Sequence, residues 1–456
     1  MELQKIQHVY LIGIGGIGMS GLARYFHHLG CIVCGYDKTP TPLTDALQAE
    51  GISVIFSDTP DFIPTAFSKP GDNVLVIYTP AVPKNLRILN YFQDNGFELY
   101  KRSQVLGIIS KGKFTVAVAG THGKTTTSSM IAHILKQSGK DCSAFLGGLT
   151  VNYKSNVLYG KSDIVVVEAD EYDRSFLTLF PDVAIVTSMD ADHLDIYGDH
   201  EHLNESFRMF ASQVKENGRL IVKKGLPLAS PLSTSYSIKG EHADAVAENI
   251  KIVRGDFYFD FLSRDTVIGN IKMGIPGTHN VENATAAVQA ALYMGVSPAQ
   301  VKAALASFKG VKRRFEYVIK TGQHIFIDDY AHHPEELKAC LSSVKKLYPH
   351  RKLTTVFQPH LYTRTRDFAD GFAEALDLSD ELLMLDIYPA RELPIDGVNS
   401  EMILDRMKLK NKRMCGSMQD VIDRVHKEKP ELLLTVGAGD IDQIIEPLKS
   451  ALGYVE

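Results

Sequence analysis

The sequence predicts an α/β protein of three domains, each built on a mainly parallel sheet flanked by helices. Three observations predict it. The chain has 456 residues, room for about three domains at roughly 100–200 residues each. Three apolar strand runs each lead into a glycine-rich or polar turn and then into helical or strand-alternating sequence, the pattern of parallel α/β units. Hydrophobic residues make up 45% and charged residues 23%, so each domain can bury a core.

The first domain, residues 1–112, opens on the strand His8-Val9-Tyr10-Leu11-Ile12 and the loop Gly13-Ile14-Gly15-Gly16-Ile17-Gly18. A helical stretch from Ser20 to Leu29 follows, then a strand ending at Asp37. Cys31 and Cys34 fall in the apolar run of that strand and read as structural. The second domain, 113–310, starts on the strand Phe114 to Ala119, which enters the loop Gly120-Thr121-His122-Gly123-Lys124-Thr125 and a helix from Thr126 to Gln137. Strands recur at Ile164 to Val167 and Val183 to Val186, residues 248–275 alternate like antiparallel strands, and a helix from Asn280 to Gly295 carries Ala284, Ala287 and Ala291 on one face. The third domain, 311–456, places strands at Ile325 to Asp329, Leu353 to Phe357, Glu381 to Asp386 and Leu432 to Gly437, with helices between them in a doubly wound pattern.

Net charge is -5, which argues against a long nucleic-acid interface. No apolar run reaches the roughly 18 residues of a membrane span, and the N-terminus lacks a signal-peptide pattern. Five dispersed cysteines suit a reducing cytoplasm. The expectation is a cytoplasmic protein, monomer or weak homodimer, that touches neither nucleic acid nor membrane.

Phosphate binding must then be local. A helix N-terminus has unpaired N–H groups and a partial positive charge, and glycines let the backbone wrap an anion. Lys124 can reach β- and γ-phosphates, and the Thr125 hydroxyl can hold a magnesium ion. The spacing G-x-x-G-K-T is shorter than the usual form, but the preceding strand and following helix supply the context. Glu168-Ala169-Asp170-Glu171-Tyr172-Asp173 ends a strand, where α/β proteins bind ligands, and reads as a magnesium site. Asp190 to Asp195 includes His193, which reads equally as a functional imidazole or a solvated one. Asn280 fits a helix cap, and Lys312-Arg313-Arg314 fits a solvated charge run. Asp328 to Pro334 and Gln358 to Asp367 both end strands on the expected ligand edge. Arg364 and Arg366 in the latter suit bidentate recognition of carboxylate or phosphate.

Together these blocks, in this order from His8 to about Ile444, resemble the Mur ligase family of peptidoglycan synthesis. The resemblance implies a Rossmann-like N-terminal domain that binds a UDP-sugar, a P-loop ATP-binding central domain, and a Rossmann-like C-terminal domain that carries the incoming amino acid. Gly15, Gly16, Ile17 and Gly18 would face the UDP diphosphate, Asp37 the uridine, and His122 the sugar-nucleotide side. Gly120 through Thr126 would wrap ATP, with Lys124 on the γ-phosphate. Thr125 and Glu168 would bind one magnesium ion and His193 the second. His279, Asn280 and Asn283 would contact the nucleotide, Asp329 its ribose, and Arg314 the transferring phosphate. Tyr330, His332 and Arg364 would bind the amino acid, with Arg366 a competitor for its carboxylate, and His332 and water are both candidates for the base.

The first block and Asp329-Tyr330-Ala331-His332-His333-Pro334 point, within the family, to joining L-alanine to the carboxylate of UDP-N-acetylmuramate with ATP and Mg2+. Three positions depart from the family pattern: Thr278 where arginine is common, Ala331 for glycine, and Leu146 before Gly147-Gly148. Residues 202–210 contain no lysine, so no carbamylated lysine is expected. The rival readings are a recycling ligase that attaches a tripeptide to the same sugar nucleotide, a dinucleotide-dependent oxidoreductase suggested by Gly13 to Gly18 with Asp37, and a non-catalytic nucleotide switch.

Overall fold

The computed structural model describes residues 2–190, 197, 199–238, 242–253, 255–390 and 392–454. They divide into two compact units. The first is Met1–Glu248 with Asp260–Ile271 and Glu282–Phe308; the second is Asn249–Phe259 with Lys272–Val281 and Lys309–Glu456.

The first sheet contains β1 (His8–Ile12), β2 (Ile32–Tyr36), β3 (Ser53–Ile55), β4 (Val74–Tyr78) and β5 (Leu99–Lys101), in the order β3-β2-β1-β4-β5. Every pairing is parallel. Val9 through Ile12 are fully buried, which is why β1 reads as a continuous apolar run rather than an alternating one. The strand order reverses at β1, and the loop Gly13–Gly18 leaves from that switch point, where open α/β sheets bind ligands.

The second sheet has ten strands: β6 (Phe114–Ala119), β7 (Ser143–Thr150), β8 (Ser155–Leu158), β9 (Ile164–Glu168), β10 (Val183–Val186), β11 (Arg219–Lys223), β12 (Ser233–Ser237), β13 (Ala245–Val253), β14 (Asp256–Ser263) and β15 (Val267–Lys272). Their order is β15-β14-β13-β12-β11-β10-β6-β9-β7-β8. The strand β6 lies between β9 and β10, parallel to both. The carboxyl ends of these three strands therefore bring the Gly120 loop, Glu168 and Thr187 to one edge.

The third sheet holds β16 (Glu316–Lys320), β17 (Ile325–Asp329), β18 (Leu353–Phe357), β19 (Glu381–Met384), β20 (Lys412–Met414) and β21 (Leu432–Val436), ordered β16-β17-β21-β18-β19-β20. Only its edge strand β16 pairs antiparallel.

In the first unit one apolar cluster runs from Val9, Leu22 and Phe26 through Leu106 to Phe176, Phe207 and Phe210. It joins the first two sheets through a shared core. Polar contacts add to it: Arg24 Nη1 donates to Asn156 Oδ1 at 2.6 Å while Arg24 also pairs with Glu50. Three helices begin earlier than the hydrophobic pattern suggests, at Ile17, Lys124 and Thr278 rather than Ser20, Thr126 and Asn280. Glycine loops feed each of them, so helical hydrogen bonding starts inside the polar motif before the apolar face begins. Among the described residues, no helix is long and apolar enough to cross a membrane.

Candidate active site

The Gly120 loop takes its shape from two glycines with positive φ, Gly120 at 131° and Gly123 at 82°. A Cβ on Gly120 would lie 2.1 Å from Thr187 Oγ1, and one on Gly123 would lie 2.6 Å from Asn283 Oδ1. The helix Lys124–Gln137 follows with no side chain capping its first turn, so its leading N–H groups are available to an anion.

Residues after β10 clamp the loop from below. Thr187 Oγ1 donates to the His122 carbonyl. Ser188 Oγ accepts the His122 N–H at 2.7 Å and lies 2.9 Å from Thr121 Oγ1. The His122 imidazole points toward the next turn, its Nε2 3.4 Å from Asp190 Oδ2. His193 lies outside the described residues.

Lys124 Nζ donates to Gly120 O at 2.7 Å and to Glu171 Oε1 at 2.8 Å. Burial alone would push this ammonium's pKa down, but the carboxylates of Glu171, Asp170 and Glu168 hold it above the usual lysine value. Glu171 pairs with Lys124 and Asp170 with Arg102, which leaves the Glu168 carboxylate beside the Gly120 loop. The hydroxyl of Thr125 and the carboxylate of Glu168 are hard oxygen donors, the set magnesium prefers. Glu168 is aimed by Gly147, whose N–H donates to its Oε2 at 2.9 Å. A Cβ on Gly147 would fall 2.2 Å from Glu168 Oε1, so the close approach requires glycine. The chemistry of the donors fits the ion.

The acidic segment also reaches the first domain. Arg102 Nη2 donates to Asp170 Oδ2 at 3.0 Å, and Lys101 Nζ to Asp173 Oδ2 at 2.7 Å. Arg102 lies against the glycine loop, where a Cβ on Gly18 would meet its Nη1 at 2.5 Å. In that loop the Gly15 N–H donates to Asp37 Oδ2 at 2.7 Å and the Gly16 N–H to Gly13 O at 3.2 Å. Ile17 and Gly18 then form the first turn of the helix Ile17–His28. Asp37 thus shapes the loop as well as standing beside it.

The second unit gathers the remaining candidates. His279 is partly buried, with Nδ1 3.5 Å from Ser343 Oγ. Burial lowers its pKa to about 4 against the opposing pull of Glu336, with Arg314 adding to the drop. Asn280 Nδ2 donates to Pro276 O at 2.6 Å. Asp329 accepts the N–H of Phe315 at 2.7 Å and of Ala331 at 2.8 Å, so it ties the Arg313–Arg314 turn to the end of β17. Burial raises its pKa to about 6, while Arg314 opposes the shift. Arg314 stacks its guanidinium 4.9 Å from the Tyr330 ring centre.

Tyr330, His332, His360 and Arg364 come together beyond the ends of β17 and β18. The rings of Tyr330 and His332 are 5.2 Å apart, those of His332 and His360 6.0 Å, and Arg364 Nη1 lies 3.5 Å from His360 Nδ1. Arg364 is buried, whereas Arg366 is half-exposed and paired with Asp367 at 2.7 Å. Sequence reasoning missed three residues that the structure draws into these sites. His360 and Glu171 stood inside quoted motifs without a role. Arg102 had no local signal, because its position depends on a distant helix meeting the glycine loop.

Family models match nearly the whole chain: the Mur ligase catalytic domain at residues 8–114, the middle domain at 118–291 and the glutamate ligase domain at 313–439. The chain is 50% identical over 458 residues to the UDP-N-acetylmuramate–L-alanine ligase of Parabacteroides distasonis, covering 99% of this chain and 98% of that one. It is 49% identical to the protein of that name from Porphyromonas gingivalis, covering 98% and 99%. Among solved structures, the UDP-N-acetylmuramate-alanine ligase of Thermotoga maritima superposes with a TM-score of 0.84 at 28% identity, covering 97% of this chain and 98% of that chain. A murein peptide ligase from Psychrobacter arcticus shares the fold, with a TM-score of 0.69 at 24% identity over 99% of each chain. With three family domains matched in order and relatives similar from end to end, the chain belongs to the Mur ligase family.

Proposed function

We propose that this chain is an ATP-dependent ligase that joins L-alanine to the carboxylate of UDP-N-acetylmuramate, releasing ADP and phosphate, in peptidoglycan precursor synthesis in the cytoplasm. The observation that carries the reading is the end-to-end 50% identity to a relative named for that reaction. In this reading residues 1–112 bind the UDP-sugar, 113–310 ATP and 311–456 the amino acid.

A carboxylate is a poor acyl donor, so ATP activates it. The γ-phosphoryl group passes to the carboxylate oxygen, giving an acyl phosphate and ADP. The neutral amine of L-alanine attacks the acyl carbon through a tetrahedral intermediate, phosphate leaves, and the amine loses a proton. Gly120 to Thr126 hold the ATP phosphates, and Lys124 offsets charge on the transferring group. Thr125 and Glu168, joined by His193, would hold magnesium, which supplies further charge neutralisation. Gly15 to Gly18 take the diphosphate, with Asp37 and His122 beside the sugar nucleotide. His279, Asn280, Asn283 and Asp329 bind the nucleotide, and Arg314 meets the phosphate in transfer. Tyr330 and His332 shape the amino-acid site, Arg364 takes its carboxylate, and His332 is the candidate to receive the amine proton. Bringing the reactants together supplies much of the remaining acceleration.

The test is phosphate release with UDP-N-acetylmuramate and magnesium-ATP, adding each amino acid in turn and the stem tripeptide. L-Alanine should give the highest kcat/KM. Faster turnover with the tripeptide would turn the assignment to a recycling ligase. Lys124→Ala should lower turnover by at least about a thousandfold, and near-normal release in that variant would remove the loop from the mechanism.

A further inference from the structure

The acidic segment after β9 contains a carboxylate with no part in the scheme above. Glu171 is fully buried, yet its Oε1 holds Lys124 Nζ at 2.8 Å while Gly120 O holds the same nitrogen at 2.7 Å. An ammonium has three donors. Two anchors fix its direction and leave one N–H for a third acceptor. Lysine has a long side chain with much rotamer freedom, and the two anchors remove much of it before any phosphate arrives.

Glu171 is itself firmly placed. Its carbonyl accepts from the Arg174 N–H and from the Tyr197 hydroxyl. Asp173 and Arg174 follow at φ 54° and 53°, a left-handed region that is strained for an L residue. Such a turn persists where surrounding packing demands it, and here Phe176 stacks on Phe210 with ring centres 5.0 Å apart. The turn delivers a carboxylate to the one lysine of the phosphate loop.

A carboxylate in that position has two opposed effects. It ties up part of the ammonium's charge, which leaves less of it for incoming phosphates and weakens ground-state binding of ATP. It also keeps the ammonium at a fixed point instead of letting it follow the phosphate, so charge that develops during transfer meets a preorganised donor.

We propose that Glu171 is a positioning residue that fixes Lys124 for phosphoryl transfer, favouring turnover over tight binding of ATP. This rests on reading the Gly120–Thr125 loop as the ATP site of a ligase.

The test uses the full chain. Calorimetry would give the Kd of magnesium-ATP for the wild type, Glu171→Gln, Lys124→Ala and the double variant, and phosphate release would give kcat. Glu171→Gln should bind ATP about three- to tenfold tighter while kcat falls at least about tenfold. A residue with only a structural role would weaken both. The Kd change should vanish in the Lys124→Ala background, because the effect runs through that side chain. Glu171→Asp keeps the charge but withdraws it by one methylene, and should slow turnover without tightening ATP. Weaker or unchanged ATP binding in Glu171→Gln, an unchanged kcat, or the same Kd shift without Lys124 would overturn the proposal. If the wild type releases no phosphate that depends on UDP-N-acetylmuramate and L-alanine, the ligase reading fails instead, and the calorimetric cycle still decides whether Glu171 positions Lys124.

Discussion

Asp37 accepts the Gly15 N–H at 2.7 Å across 22 residues of sequence. The end of β2 thereby sets the curvature of the glycine loop that leaves β1. A hydrogen bond to a charged acceptor contributes roughly 1.5–3 kcal/mol. Asp37→Ala should therefore raise KM for UDP-N-acetylmuramate about tenfold or more, while Kd for ATP stays within about twofold. Steady-state kinetics and calorimetry read the two quantities separately. An equal loss in both would mean that Asp37 supports the whole first unit rather than the loop.

Gly123 has φ 82°, and a Cβ there would press on Asn283 Oδ1 at 2.6 Å. Gly123→Ala combines left-handed strain of about 1–2 kcal/mol with displacement of a side chain at the helix N-terminus. ATP binding should weaken at least about tenfold, with the larger part of the loss in Kd rather than in thermal stability. Unaltered Kd in a folded variant would place the phosphates elsewhere.

His279 has a pKa lowered to about 4 by burial, with Glu336 opposing and Arg314 adding to the shift. The folded state binds this proton less readily than the unfolded chain does. Its stabilising contribution is complete above the unfolded value near 6.5 and is lost as pH falls toward 4. The difference is about 3 kcal/mol over that window. Urea titrations from pH 7 to pH 4 should show a steeper loss of stability in the wild type than in His279→Gln. Matching slopes would rule His279 out as the source.

Arg364 is buried against His360, whereas Arg366 spends its guanidinium on Asp367 at the surface. The fork geometry of arginine matches a carboxylate in a way lysine does not. Arg364→Lys should raise KM for L-alanine by about tenfold or more, and Arg366→Lys should leave it near the wild-type value. The reverse ranking would exchange their roles.

Sequence alone determined the α/β class and the three mainly parallel sheets. Parallel strands buried on both faces are near-continuous apolar runs, and Val9 to Ile12, Val116 to Ala119 and Leu432 to Leu434 follow that rule. The shape of the Gly120–Thr125 loop was equally legible, because its glycines, Lys124 and helix are contiguous and local backbone geometry sets their arrangement. Folding decided which charges meet. Asp170 and Glu171 are neighbours in sequence, yet one turns to Arg102 of the first domain and the other to Lys124. Spacing along an acidic run cannot separate them, since the division depends on a helix about 70 residues earlier that carries Arg102 and on the Gly120 loop that carries Lys124. Likewise only burial distinguishes Arg364 from Arg366. Local chemistry is written in contiguous residues, whereas ion pairing and desolvation depend on which distant surfaces pack together.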